Sequence, residues 1–246
     1  CIRDSSKADI QECIKHVVDI GHGEKTDIAP DIKISMENAG HILGSSSVYM
    51  HIGEGSHEHR LLFSGDIKYE KSWLFDAATV RFPKADTLVI ESTYGGPQDF
   101  QPNRVDATHE IQDLVKLAVS RSGKIFCPVF AVGRSQEVML AIDQLFKSGD
   151  VTPITVWLDG MISEATAIHA SHPDYLNRDL RKQVLRGGEE NPFNSPWFKQ
   201  VDSREQRESI LNDPSPCIVL ATSGMMTGGP IMELSLIHIS EPTRQP

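Results

Sequence analysis

The sequence predicts an α/β protein in which two architectures meet near residue 96. Three observations carry this. The first hundred residues are mostly strand-like, and residues 31 to 36 alternate with the period of a half-buried strand. From residue 124 onward, short apolar runs are each followed by a small-residue loop and then by helical periodicity. That is the order of a doubly wound, mainly parallel sheet. Finally, His41, Asp66 and Glu91 each stand where an apolar stretch yields to a small-residue turn. Rigid strands hold functional side chains from such positions.

The elements follow in order. Residues 9 to 19 read as helical. Residues 31 to 36 alternate (Asp31, Ile32, Lys33, Ile34, Ser35, Met36) and predict a half-buried strand. Residues 48 to 52 predict another, a turn follows at residues 53 to 56, and residues 60 to 64 return as a hairpin leading to Asp66. Leu88-Val89-Ile90 predicts a short buried strand leading to Glu91. Residues 102 to 121 predict a helix with Ile111, Leu114, Val115 and Ala118 on one face. A strand is expected over 124 to 130, and a helix over 136 to 146. Another strand over 154 to 158 is followed by a helix over 165 to 170. Residues 217 to 221 make the last strand, and a helix follows its loop. Residues 178 to 214 are polar, with Gly187-Gly188 and several prolines, and read as a surface excursion with some helix. Loops at the carboxyl ends of parallel strands form the usual ligand crevice.

The 246 residues are 39% hydrophobic and 24% charged, ordinary for a soluble globular protein. The net charge of −10 argues against a generally basic nucleic-acid binder. It leaves room for a local basic cleft. The four cysteines (Cys1, Cys13, Cys127, Cys217) show no C-x-x-C spacing. Cys127 and Cys217 lie in apolar strands and read as reduced core residues, pointing to the cytoplasm. No apolar run approaches the length of a membrane span, and no signal peptide is evident. Residues 234 to 246 resemble the translated read-through of a sequencing adapter, so residues 1–95, 96–233 and 234–246 are expected to be separate units.

Several motifs could carry chemistry, and each has a plain alternative. His41 sits among small residues that allow close backbone approach to a metal, or is a satisfied polar group. Asp66 can bridge two cations, or cap a turn. Glu91 can orient a histidine or hold a proton, or cap the next element. Gly133-Arg134-Ser135 opens a helix after a strand, where amides and a guanidinium suit a phosphate. Alternatively, Ser135 is only a helix cap and Arg134 is solvated. Ser223 and Gly224 hold a similar place after another strand. His57 and His59 read as a solvated hairpin tip, His169 as helix surface or core, and His172 as a C-terminal cap. His41 and Asp66 alone cannot close a hydrolytic zinc site, which takes at least three protein ligands.

Taken together and in order, these segments resemble a known family. Ala39-Gly40-His41-Ile42-Leu43-Gly44-Ser45, Phe63-Ser64-Gly65-Asp66 and Glu91-Ser92-Thr93-Tyr94-Gly95 are similar to signature motifs of the β-CASP metallo-β-lactamase nucleases. Phe130-Ala131-Val132-Gly133-Arg134-Ser135-Gln136-Glu137, Leu158-Asp159-Gly160-Met161 and Ala221-Thr222-Ser223-Gly224-Met225 resemble their inserted β-CASP domain. The likeness covers about residues 9 to 233 and is strongest to the archaeal homologues of the cleavage and polyadenylation specificity factor nuclease. It implies a partial metallo-β-lactamase αββα fold followed by an inserted β-CASP domain. It also implies two zinc ions that activate water against an RNA phosphodiester. By this resemblance His41 ligates one zinc, Asp66 bridges both, and Glu91 supports a catalytic histidine. Arg134, Ser135, Ser223 and Gly224 would meet the RNA backbone.

The family's H-x-H-x-D-H cluster, its later histidines and the amino-terminal KH domains of the archaeal relatives lie outside this sequence. The expectation is therefore an incomplete site that binds zinc poorly and leaves RNA uncut on its own. The parent is expected to be a ribonuclease in RNA 3′-end processing, transcription termination or decay. Its expected partners are RNA, the transcription machinery and a second copy of itself in a homodimer, with no membrane. The alternatives are a non-catalytic β-CASP RNA-binding subunit and a metallo-β-lactamase-fold hydrolase of another substrate. A nucleotide-binding doubly wound domain is disfavoured because its glycine fingerprint is missing.

Overall fold

A computed structural model describes residues 5–100 and 103–240. The chain opens with α1 (Lys7–Lys15), started by a reciprocal cap between Ser6 and Asp9. The helix ends at Lys15 with His16 as its C-cap, four residues short of the expected Asp19. A five-stranded sheet follows, built from β1 (Lys25–Ala29), β2 (Ile32–Asn38), β3 (Ser46–Ile52), β4 (His59–Phe63) and β5 (Thr87–Val89). Spatial order equals chain order. The first four strands pair antiparallel, with Ile34 opposite Met50 and Tyr49 opposite Leu62. β5 then joins β4 in parallel.

Two expectations change here. β1 was not anticipated, because Lys25-Thr26-Asp27-Ile28-Ala29 has little apolar content. It is an edge strand held by backbone pairing to β2. β5 is not buried: all three of its residues are exposed. Its apolar composition mimics a core strand, but it forms the outer edge of the sheet.

The second half holds α2 (Arg104–Ser120), β6 (Lys124–Pro128), α3 (Arg134–Ser148), β7 (Thr155–Asp159) and α4 (Ile162–Ser171). It continues through α5 (Arg178–Arg186), β8 (Phe198–Gln200), α6 (Arg204–Asn212), β9 (Cys217–Ala221) and α7 (Pro230–Ser240). The four strands pair in parallel in the order β6-β9-β7-β8. The expected doubly wound parallel sheet is therefore present. Every residue of β9 is buried. Ile218 and Leu220 face one core with Val156, Leu158, Met139, Ile142 and Leu145. Cys217, Val219 and Ala221 face the other with Val201, Ile210, Ile231 and Leu234. A strand covered on both faces loses its alternation, as its unbroken apolar run indicates. Burial pushes the Cys127 and Cys217 thiols above their ordinary pKa.

Residues 178 to 214 are more than a surface excursion. They contain α5, β8 and α6, and they bury Leu180, Val184, Phe193 and Ile210. The polar signal came from caps and turns: Asn177 caps α5, Asn191 the next turn and Ser203 α6. Leu114 lies outside the buried face of α2, which uses Val115 and Ala118 instead. α7 runs across residue 234 to Ser240, with Leu234 in the second core. Residues 241 to 246 lie outside the described residues. Among the described residues, no helix is long and apolar enough to cross a membrane.

The two halves share a core. Ser72 Oγ accepts from the N–H groups of Leu74 and Phe75, shaping a turn that places both side chains in the first core of the parallel sheet. Asn177 clamps it, its amide donating to the carbonyls of Ser72 and Trp73 while its backbone N–H donates to Leu74.

Candidate active site

His41, Asp66 and Glu91 come from three different loops and meet. Between β2 and β3 the chain turns through Gly40, and Ser45 Oγ accepts from the N–H groups of His41 and Ile42, at 3.1 and 3.2 Å. The turn is tied below by Asn38, whose side chain accepts from Gly40 N–H and donates to the Ala77 carbonyl. Asp66 follows β4. There Ser47 donates to the Ser64 carbonyl, and Ser64 N–H donates to the Val89 carbonyl. The His41 Nε2 and Asp66 Oδ2 atoms lie 3.9 Å apart, both solvent-accessible.

Glu91 follows β5 and is aimed back at the Asp66 loop. Its Oε1 accepts from Ile67 N–H at 2.8 Å, and its backbone N–H donates to Ser64 Oγ at 3.1 Å. The Ile67 N–H foremost, and then Thr93, hold the Glu91 carboxyl below the usual glutamate range, with a smaller pull from His41. The carboxylate is the favoured form in the fold. The stability it contributes is fully present above the ordinary glutamate pKa and is lost as pH falls through the lowered folded value. Glu91→Gln should therefore destabilise the chain at neutral pH and flatten this part of its acid dependence. Urea midpoints measured from pH 7 down to pH 3 test this. Parallel curves for the two proteins would refute the assignment.

The donor chemistry of His41 and Asp66 suits zinc, which takes imidazole nitrogen and carboxylate oxygen. Two donors fall short of the three that a hydrolytic site requires. Among the described residues, no group of three or more His, Cys, Asp or Glu is placed to hold a metal. His57 and His59 are exposed, and His59 contacts Thr87 Oγ1. His169 is core, with Nδ1 2.7 Å from the Ala165 carbonyl, and burial lowers its pKa. His172 is the C-cap of α4, as its place before Pro173 suggests.

The loops after β6, β7 and β9 gather at the carboxyl end of the parallel sheet, because these strands are neighbours. A Cβ on Gly133 would lie 3.3 Å from the Ile42 side chain, so the β6 loop abuts the His41 turn. A Cβ on Gly224 would lie 3.0 Å from Phe130 N, and one on Gly160 would overlap the Thr222 hydroxyl. Glycine at 224 and 160 is what lets these loops close together.

The four residues expected at a phosphate fare differently. Arg134 is exposed and paired with Glu137 at 2.6 Å. Ser135 is neither a cap nor a surface group. It is fully buried and its hydroxyl donates to the Ala131 carbonyl. The cap role falls to Gly133, whose N–H is received by the Gln136 side chain. A sequence-only reading takes the nearest hydroxyl as cap and misses that α3 begins two residues earlier, at Arg134. Ser223 Oγ accepts from Thr227 N–H within its own loop, and Gly224 supports Phe130. Sequence reasoning assigned no role to Ser45 and Ser64, although both stand inside the quoted motifs. Their signal was a hydroxyl next to a glycine at a strand end.

The sequence pattern of the Beta-Casp domain matches residues 135–244. The transcription termination factor FttA of Methanosarcina mazei is 49% identical over 233 residues, 95% of this chain and 36% of that protein. The protein of the same name from Lokiarchaeum sp. is 45% identical over 225 residues, 92% of this chain and 35% of that protein. That of Methanocaldococcus jannaschii is 46% identical over 225 residues, again 92% and 35%. The chain spans about a third of the length of the curated relatives it matches. With a parallel α/β sheet under the matched residues and this identity along nearly its whole length, the chain belongs to the β-CASP family.

Proposed function

We propose that this chain is part of a zinc-dependent ribonuclease that acts in transcription termination or RNA 3′-end formation in the cytoplasm. The observation that carries this reading is the convergence of His41, Asp66 and Glu91 beside the loops of the parallel sheet. Two donors 3.9 Å apart, with a carboxylate locked against the same loop, suit a hydrolytic metal site better than a capping role. The relatives named as termination factors support RNA and the transcription machinery as partners. A homodimer of the longer protein belongs to the same reading.

His41 and Asp66 would supply two zinc ligands here, with the remaining ligands contributed by further residues of the longer protein. When bound, the metal would supply the activated water for attack on phosphorus. Glu91 would orient a neighbouring proton-carrying group through a carboxylate kept ionised by Ile67 N–H. We set the β-CASP domain at residues 96–233, because α2 and β6 share the sheet and core of the matched residues.

The test is a zinc titration and a labelled-RNA assay on two proteins, this chain and one extended to the length of the relatives. The extended protein should cleave RNA in a chelator-sensitive manner, and His41→Ala or Asp66→Asn should lower its rate at least about a hundred-fold. This chain alone should bind zinc weakly and leave RNA intact. Robust chelator-sensitive cleavage by this chain would overturn the incomplete-site reading. RNA binding without cleavage by the extended protein would replace the nuclease by a non-catalytic binding subunit.

A further inference from the structure

The rim of the site is apolar, which is costly at a water-facing edge. Phe130 is 50% exposed, Met161 68%, Met225 69% and Met226 45%, and Ile42 and Val132 lie open beside them. They come from four segments of the chain, brought together by the strand order β6-β9-β7 and by the approach of Gly133 to Ile42. None of residues 129–133 or 222–229 carries a charge.

These loops are built rather than slack. Val129 N–H donates to the Ala221 carbonyl and so prolongs the β6–β9 ladder up to Phe130. The methionine loop is closed by Ser223 N–H to the Gly228 carbonyl, Met226 N–H to the Ser223 carbonyl and Ile231 N–H to the Thr222 carbonyl. A Cβ on Gly229 would lie 2.7 Å from the Thr222 carbonyl oxygen, leaving no room for a side chain. The result is an aromatic ring with two flexible thioethers projected from a hydrogen-bonded base. Exposed apolar patches of this kind mark interaction sites, and methionine adapts to flat partners of varied shape.

Charge selects the partner chemistry. The chain carries −10 overall, and Arg134, the cation nearest these loops in sequence, is already paired with Glu137. Backbone phosphates therefore find little attraction at this edge, and a polynucleotide held here would be held mainly through its bases. We propose that Phe130, flanked by Met161, Met225 and Met226, is a stacking platform for unpaired nucleobases of single-stranded RNA entering the site. This rests on the RNA reading above, and it specifies the part of the substrate recognised: the face of a base, without sequence preference.

The test is fluorescence anisotropy on the full 246-residue chain with a short labelled single-stranded RNA, its abasic counterpart and the matching duplex. The base-bearing single strand should bind at least about ten-fold tighter than the other two, with a shallow dependence on salt. Phe130→Ala should reduce that preference to within about two-fold, and Phe130→Tyr should keep it. Should Phe130→Ala unfold the chain, Met225→Ser, at a more exposed side chain, is the second variant and should weaken the preference as well. Equal binding of base-bearing and abasic strands would overturn the platform while leaving RNA binding intact, and would turn this surface toward a protein partner. Failure to bind any of the three polynucleotides would overturn the RNA reading itself, and the platform with it.

Discussion

Replacing Gly40 by alanine should destabilise the chain by roughly 2–4 kcal/mol, the sum of two separate penalties. The first is conformational. Gly40 has φ +68°, a region that any side chain enters at a cost of about 1 kcal/mol. The second is steric. A Cβ there would lie 2.8 Å from the Lys68 carbonyl oxygen and 2.9 Å from both Ala78 N and the Asp76 carbonyl oxygen. All three are backbone atoms, so no rotamer change relieves the overlap. They are also fixed: Lys68 N–H donates to the Ala39 carbonyl, Ala78 N–H to the Lys68 carbonyl, and Thr79 N–H to the Asn38 carbonyl. Room for a methyl group means breaking that lattice, which also seats His41. Gly44→Ala is the control, because Gly44 has φ +75° but open space where a Cβ would go. It should lose only about 1 kcal/mol. Thermal melts of the two variants separate the penalties. For a chain of this size Gly40→Ala should melt roughly 5–15 °C lower. Equal melting temperatures for the two variants would remove the steric account.

Arg207→Met should cost about 3–5 kcal/mol, because it strands a buried carboxylate. Asp159 ends β7 with its side chain almost wholly buried. Arg207 meets it with both forks, Nε to Oδ2 at 2.6 Å and Nη2 to Oδ1 at 2.9 Å. Its third arm reaches Glu233 on α7 at 2.7 Å. These bonds, that to Asp159 above all, raise the arginine pKa still further and keep the cation charged at every working pH. One side chain on α6 thus joins the end of β7 to α7. Methionine keeps the apolar stem and removes the charge, so the loss reports the pairing rather than a cavity. The double variant Asp159→Leu/Arg207→Met should recover much of the loss, since an apolar pair leaves no charge stranded. Urea denaturation of the single and double variants decides this. A single variant within about 1 kcal/mol of the parent would place the pair among weak surface bridges.

The first of these sites was half legible in the sequence. Gly40 lies in a motif whose small residues already suggested close approach, but which backbone atoms approach it depends on residues 66 to 79 folding back. Asp159 and Arg207 were not legible as a pair. They are 48 residues apart, and Arg207 lies in a stretch whose polarity read as surface. The placement of His41, Asp66 and Glu91 was legible, because strand ends and small-residue turns are local signals. The burial of Ser135 was not, because a hydroxyl near a helix start has the same sequence signature as a cap or as a buried first-turn residue.

Sequence alone determined the passage from hairpin strands to a parallel α/β region, the strand-end placement of His41, Asp66 and Glu91, and the family. All rest on periodicity, turn chemistry and motif order, which are written within a few residues of one another. Tertiary structure alone decided which elements became neighbours. It inserted β9 between β6 and β7, and so brought the loop bearing Met225 against Phe130. It left β5 exposed at an edge although Leu88 and Val89 are apolar. It carried Leu74 and Phe75 into the core of the other half. The physical reason is that apolar periodicity states which face of an element avoids water. Which partner covers that face is settled only when distant segments compete for it.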